Sequence, residues 1–344
     1  MRTSFNTNIL KHILSIDGGG IRGILPAAIL AHLEKLAQKE SGNPRLRIAH
    51  LFDLLAGTSA GGILTALYLA PCEDDKSQPR YTAQQVLDFY CQLGPMIFRK
   101  PLGYLLRSAG GLLRSRYNEQ ALYEFSREII GDSYVSEVMK DCLVTAYDLS
   151  SRKALLFGKH ATVKYGNMAD YKLCDTACAT SAAPSYFIPA KIPARDGGER
   201  HLADGGVYAN NPSMCALVEA FKIWPGKPLE KMTMLSVGCG KVVRPYHHHK
   251  TRNFGYIHWL NPILDILMSS VAETTDYQVM QMFQISGVPG NYTRIEPPML
   301  NADSRIDNAN DKNIRRLRSA AQNYIDHNQL LLDKICARLL EGNV

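Results

Sequence analysis

A serine set between glycines, in Gly57-Thr58-Ser59-Ala60-Gly61, is the group of this chain best placed to act as a nucleophile. The apolar run Leu51 to Ala56 leads into it, and Gly62 to Ala70 leads out. Strand, tight turn, helix is the context in which a G-x-S-x-G serine projects from the end of a sheet and can attack a carbonyl carbon. The glycines permit the sharp turn. The helix that follows aims free N–H groups and a positive dipole end at developing negative charge. The same five residues also read as a glycine-rich turn whose serine caps a helix. Partners elsewhere in the chain have to decide.

Two stretches offer such partners. Asp17-Gly18-Gly19-Gly20-Ile21-Arg22-Gly23 follows a first strand and opens a first helix, so its amides can cradle an anion with no side chains in the way. As a dinucleotide turn it would need an acid about twenty positions on, at the end of a second strand. Glu40 has the distance but sits at the polar end of a helix, before Ser41-Gly42-Asn43-Pro44. As an oxyanion hole it would supply preorganised donors, each worth ~10²–10³ in rate. The other stretch, Ala203-Asp204-Gly205-Gly206, ends a short strand among apolar neighbours, which makes Asp204 the candidate for a buried base. Asp196-Gly197-Gly198 is flanked by Arg195, Glu199 and Arg200 and reads as a solvated hairpin turn.

Taken in order, Asp17 to Gly23, Gly57 to Gly61 and Asp204 to Gly206 resemble the motifs of the patatin-like phospholipase family. Ser181-Ala182-Ala183-Pro184-Ser185-Tyr186-Phe187 and Asn210-Asn211-Pro212 resemble family segments that flank the aspartate. The resemblance implies a three-layer α/β/α fold with a mainly parallel central sheet, and a serine–aspartate dyad without a catalytic histidine. By position Ser59 matches the nucleophile, Asp204 the general base, and Gly18, Gly19 and Gly20 the oxyanion loop. An ordinary aspartate, with a pKa near ~3.9, is a poor base toward a hydroxyl, and burial is what raises it. The expected reaction passes the acyl group of a phospholipid to Ser59, and water then hydrolyses the acyl-enzyme. Arg22 would either neutralise a lipid phosphate or pair with a local carboxylate.

Two rival readings stay open. One is an esterase with a Ser-His-Asp triad, for which His160 and His201 are the histidines to check. The other is a non-catalytic nucleotide-binding or scaffold protein that uses Gly18 to Gly23. Three consecutive side chains, His247-His248-His249, cannot all face one ion from a regular element, so a solvated loop is expected there and no metal. No cofactor is expected either.

The 344 residues carry 46% apolar and 21% charged side chains, ample for a sizeable core. A formal charge of +7 suits an anionic lipid or a phosphorylated ligand and is too diffuse to argue for nucleic acid. The eight cysteines lack any C-x-x-C pair, and no signal-peptide h-region or membrane-spanning run is evident, so the expectation is a cytoplasmic protein with free thiols and peripheral access to the inner membrane.

Strands are expected at 12–16, 51–56, 142–147, 154–157 and 232–237, alternating with helices as in a largely parallel sheet. Residues 10–240 read as the catalytic domain and 241–344 as a helical C-terminal region packed on it. From Phe89 to Asn118 there is no acidic residue. Arg99, Lys100, Arg107, Arg114 and Arg116 punctuate apolar residues in this basic insertion, which could rest on anionic lipid or face the core. Between Trp259 and Phe283, Leu260, Ile263, Leu264, Leu267, Met268 and Val271 predict one packed face of a helix. Ile314 to Ile335 predicts another docked helix. Bacterial phospholipases of this kind include effectors switched on by cyclic dinucleotides in anti-phage defence. The resemblance and the unassigned cations therefore raise a cyclic dinucleotide activator, bound by the basic insertion or after Gly240. Oligomeric state is not legible.

Overall fold

A computed structural model of the protein describes residues 10–98, 115–241 and 245–341. Most of the basic insertion, including Arg99, Lys100, Arg107 and Arg114, therefore lies outside the described residues.

One mixed sheet runs through the molecule. Strands β1 (Lys11–Ile16), β2 (Leu54–Gly57) and β3 (Asp141–Asp148) stand side by side in parallel, and β7 (Met232–Val237) and β8 (Tyr292–Ile295) continue on the far side of β1. Beyond β3 the sheet turns antiparallel, through β4 (Lys153–Gly158), β6 (Glu199–Asp204) and β5 (Ala190–Pro193). The sequence reading foresaw the parallel half, strand β4 and the hairpin turn at Asp196 to Gly198, but not that β6 and β5 extend the sheet beside β3.

Strand β3 organises the site. Val144 pairs with Phe157 of β4 on one side and Gly57 of β2 on the other; Ala146 pairs with Leu155 of β4 and Asp204 of β6. A residue's two lateral partners lie on opposite edges, and β4 occupies one edge throughout. Hence β2 and β6 share the other edge. They approach from opposite directions, and their carboxyl ends meet across Thr145.

Alternate strand residues feed two cores. Leu14, Ile16, Leu55 and Val237 pack with α1 (Ile24–Ser41), α2 (Ala60–Leu69), α3 (Ala83–Ile97) and α4 (Gln120–Ile130). Ile13, Leu54, Ala56 and Met234 pack with α6 (Ser213–Ile223) and the second half of α7 (Tyr256–Ile285), while α5 (Leu173–Thr180) backs β3. The period of two in the strands therefore produces three layers, helix–sheet–helix. The crossover helices leave the carboxyl ends of β1, β2 and β7 free on one rim, where open α/β sheets bind their ligands.

Several boundaries move. Leu51 closes a short helix, Ile48–Leu51, rather than opening β2. Asp53 pins the turn between them, accepting from Lys11 Nζ at 2.8 Å and the His12 amide at 2.9 Å. The region after 240 is not purely helical, because it contributes β8. The stripe from Ile314 to Ile335 is two helices, α8 (Asp311–His327) and α9 (Gln329–Leu340), divided at Asn328, whose Nδ2 donates to the Tyr324 carbonyl at 2.8 Å. In α7, Leu264, Met268 and Val271 are only partly exposed, but Ile263 and Leu267 are 48% and 43% exposed, so the expected single packed face divides in two. All eight cysteines are free.

Candidate active site

Ser59 sits between β2 and α2 with φ 52° and ψ −118°, a conformation that an L-residue holds only when its surroundings impose it. The flanking glycines are demanded by space. A Cβ on Gly57 would lie 2.1 Å from the Gly61 carbonyl oxygen, and one on Gly61 would lie 2.1 Å from the Ile16 carbonyl oxygen. Thr58 anchors the turn, donating to the Ala209 carbonyl at 2.6 Å and lying 2.7 Å from the Thr145 hydroxyl. The Ser59 amide donates to Thr180 Oγ1 at 2.8 Å. Fixed at three points, the strained serine cannot relax.

Asp204 ends β6 and is buried. Its Oδ1 accepts the Gly206 amide at 2.7 Å, and it lines the same pocket as Ser59. Burial raises its pKa to about 6, with the Gly206 amide and the nearby Ser59 side chain pulling the other way. It is thus a far better proton acceptor than an aspartate in water.

The glycine loop lies against the serine: a Cβ on Gly18 would fall 3.2 Å from Ser59 Cβ. The three expected donors are not equivalent. The Gly18 amide is occupied by the Asn210 carbonyl at 2.9 Å, so Gly18 places the loop rather than donating to an oxyanion. The Gly19 and Gly20 amides have no partner among the described residues. Arg22 is corrected too. It is buried outside the pocket, and its Nε donates back to the Gly19 carbonyl at 3.3 Å, bracing the loop instead of meeting a phosphate.

The sequence reading missed Arg294. From β8 its guanidinium grips both Asp17 oxygens, at 2.9 and 2.6 Å, donates to Ser236 Oγ at 2.8 Å, and also pairs with Glu296. Burial pushes the carboxyls of Asp17 and Glu296 upward, and Arg294 opposes the shift in both. Because Asp17 leads directly into Gly18, the clamp fixes where the loop begins. The alternating Arg294-Ile295-Glu296 was the available signal, hidden in a region read as helix.

A pocket partly open to solvent leads from Ser59 and Asp204. Tyr90, Leu93, Ile97 and Phe98 form one side, Tyr186 and Phe187 another, and Met268 of α7 a third. Asp204 is the one charged side chain among its described lining residues. The Ser181 hydroxyl also lines it, buried and without a hydrogen-bond partner. No histidine does. His201 is exposed on β6, 3.4 Å from Ser150 Oγ, and His160 lies in the helix Lys159–Tyr165. Nothing in the geometry favours a triad. His247 to His249 are exposed. Arg116 is committed to Asp307 at 3.1 Å and to the face of Tyr186. Glu40 is exposed at the far end of α1, remote from a dinucleotide role.

Comparison with known proteins agrees with this geometry. Residues 14–217 match the family model described as patatin-like phospholipase. Patatin-like protein 2 of Oryza sativa subsp. indica is 33% identical over 95% of this chain and 85% of its own length. Patatin-like protein 4 of Arabidopsis thaliana is 31% identical, over 94% and 85%. A further relative, the "probable inactive patatin-3-Kuras 1" of Solanum tuberosum, is 28% identical over 91% and 86%. Likeness to such proteins has to be joined to the state of the reacting groups themselves.

Two predictions follow from the electrostatics. An unfolded Asp204 would lose its proton near 3.8 and the folded one near 6, so the folded state binds more protons between these values. Stability therefore falls as pH rises through that window and stays lower above it. Asp204→Asn should remove a penalty of up to roughly 3 kcal/mol above pH 6, so its Tm at pH 8 should exceed that of the parent, and no gain would refute the burial cost. For the clamp, Arg294→Lys keeps a cation but cannot hold both Asp17 oxygens. A kcat loss of about 10–10²-fold at unchanged KM on a soluble ester is expected, with unchanged circular dichroism; parental kcat would show that the loop stands without the clamp.

Proposed function

The chain belongs to the patatin-like phospholipase family and is a carboxylic ester hydrolase, and we propose that it cleaves acyl esters of membrane phospholipids through a Ser59–Asp204 dyad. The observation that carries the dyad is a strained serine and a buried aspartate of pKa raised to about 6 lining one pocket. The apolar pocket supports a fatty acyl chain as the bound portion of the substrate, and the lack of a cation in its described lining leaves the head group outside.

In this reading Ser59 Oγ bonds to the ester carbon as its proton passes to Asp204. The resulting oxyanion takes hydrogen bonds from the Gly19 and Gly20 amides, which are already in place and need no reorganisation. The carbon–oxygen bond to the lysolipid then breaks, and Asp204 returns the proton to that oxygen. Water attacks the acyl-enzyme with Asp204 again as base, releasing the fatty acid and Ser59. Ser181, unpartnered in the pocket, is available to hydrogen-bond the ester or the water.

A fluorophosphonate probe should label the parent, and not Ser59→Ala. Hydrolysis should rise with pH through about 6 as Asp204 ionises. Replacing His160 and His201 singly by Gln should leave rates near parental values. A loss comparable to that of Ser59→Ala in either would overturn the dyad.

Activation by a cyclic dinucleotide, in a cytoplasmic protein working at the inner membrane in antiviral defence, is the finer part of the proposal. Its support is a polar cavity of about 140 Å³ between α1, α3 and α8, lined by His32, Lys35, Gln84, Arg318 and Gln322. The Nε2 of His32 is buried there without a partner. Such a site suits a phosphate. Calorimetric titration with a panel of cyclic dinucleotides should show binding that Arg318→Ala weakens. No binding, together with phospholipase rates indifferent to every member, would sink this part.

A further inference from the structure

Helix α7 forms one side of the catalytic pocket through Met268. On its inner side Met268 lines the pocket, and a Cβ on Gly206, two residues beyond Asp204, would lie 3.6 Å from the Met268 methyl. On its outer side Trp259, Ile263, Ile266 and Leu267 are 38%, 48%, 36% and 43% exposed. Their spacing of i, i+4, i+7 and i+8 places them on one stripe. A helix apolar on both sides is ordinarily buried, and a contiguous apolar patch left in solvent marks a contact surface.

We propose that this outer stripe of α7 is the surface on which the protein rests on a phospholipid bilayer. The proposal rests on the lipid-hydrolase reading above and names where that enzyme meets its substrate's bulk phase. Three observations select lipid as the occupant. The stripe is the back of the wall that lines the Ser59 pocket, so a bilayer touching it lies one helix thickness from the dyad. No acidic side chain interrupts the stripe between Trp259 and Ser270; Asp265 lies to one side and accepts from the Tyr246 hydroxyl at 3.0 Å. The exposed segment leading into the helix carries His247, His248, His249 and Arg252. Tryptophan and aliphatic residues on one face, with basic side chains beside them, make an interfacial helix that lies in the plane of the head groups. A second copy of the chain is the competing occupant, since the same apolar residues would hold it.

Trp259 is its own reporter, because Trp224 is the only other tryptophan. In Trp224→Phe protein, vesicles of phosphatidylcholine and phosphatidylglycerol should shift Trp259 emission to the blue, and brominated acyl chains should quench it. Adding Ile263→Gln and Leu267→Gln, which suit a helix, should weaken vesicle binding about tenfold or more and leave p-nitrophenyl butyrate hydrolysis unchanged. Absence of a blue shift, or equal vesicle binding by the double variant, overturns the proposal. So does a double variant that converts a sedimenting dimer to monomer while binding vesicles as before, which assigns the stripe to a second copy. Failure of the parent to hydrolyse the soluble ester would refute the hydrolase reading instead, and the vesicle measurement separates the two.

Discussion

The shared edge of β3 is the constraint on which the rest of the site depends. Two strands that end head to head beside Thr145 bring Ser59 and Asp204 together, although 145 positions of sequence separate them. Backbone ladders set that meeting, and ladders are stiff and register-specific. A slip of one residue in β6 would turn Asp204 to the other face of the sheet. The antiparallel wing is therefore a necessity for the proposed dyad rather than an ornament on a parallel sheet, because only a strand running against β3 can aim its carboxyl end at that of β2. The close approach is tight enough that a Cβ on Gly205 would come within 2.0 Å of Thr145 Oγ1.

A second constraint lies beneath the glycine loop. Ser15, Ser213 and Ser236 form a buried hydroxyl chain with links of 2.9 Å, and Arg294 joins it to Asp17 and Glu296. Burying Asp17 and half-burying Arg294 and Glu296 is costly, and well-packed apolar residues of similar volume would often be neutral or better for stability. What the cluster supplies is position. The bidentate grip fixes Asp17, Arg22 braces the carbonyl of Gly19, and the Asn210 carbonyl holds the amide of Gly18. Among the described residues the Gly19 and Gly20 amides are left without a partner.

Legibility in the sequence followed the range of each interaction. Ser59, Asp204 and the glycine loop could be read as candidates because each is written in four to seven consecutive residues. The division of labour within the loop could not, since the partner of Gly18 lies at Asn210, and neither could the confinement of Arg22. Strand β8 is four residues long, so the alternation around Arg294 was too short to stand out in a region read as helix. Helix α7 was legible as a helix. Which apolar residues faced inward was not, because apolar residues recur on both sides and spacing alone cannot rank two faces.

The absence of a histidine from the described lining has a physical counterpart in how the site is desolvated. A triad uses imidazole because its pKa already lies near neutrality. In the proposed dyad the same poise would come from burial of a carboxylate, and burial of a charge has to be maintained by the fold. Ser59 adds a second cost through its backbone angles. Both costs sit at the ends of strands whose middles, Leu14, Ile16, Leu55 and Leu143, are completely or almost completely buried. The sheet interior thus offsets what its rim spends, and the reacting pair can remain strained and desolvated because the strands that hold it have no comparable alternative packing. A pocket wall exposed on its outer face fits the same division: the rigid core fixes the chemistry, and α7, packed at its far end by Val279 and Phe283, carries the site's edge out to where substrate arrives.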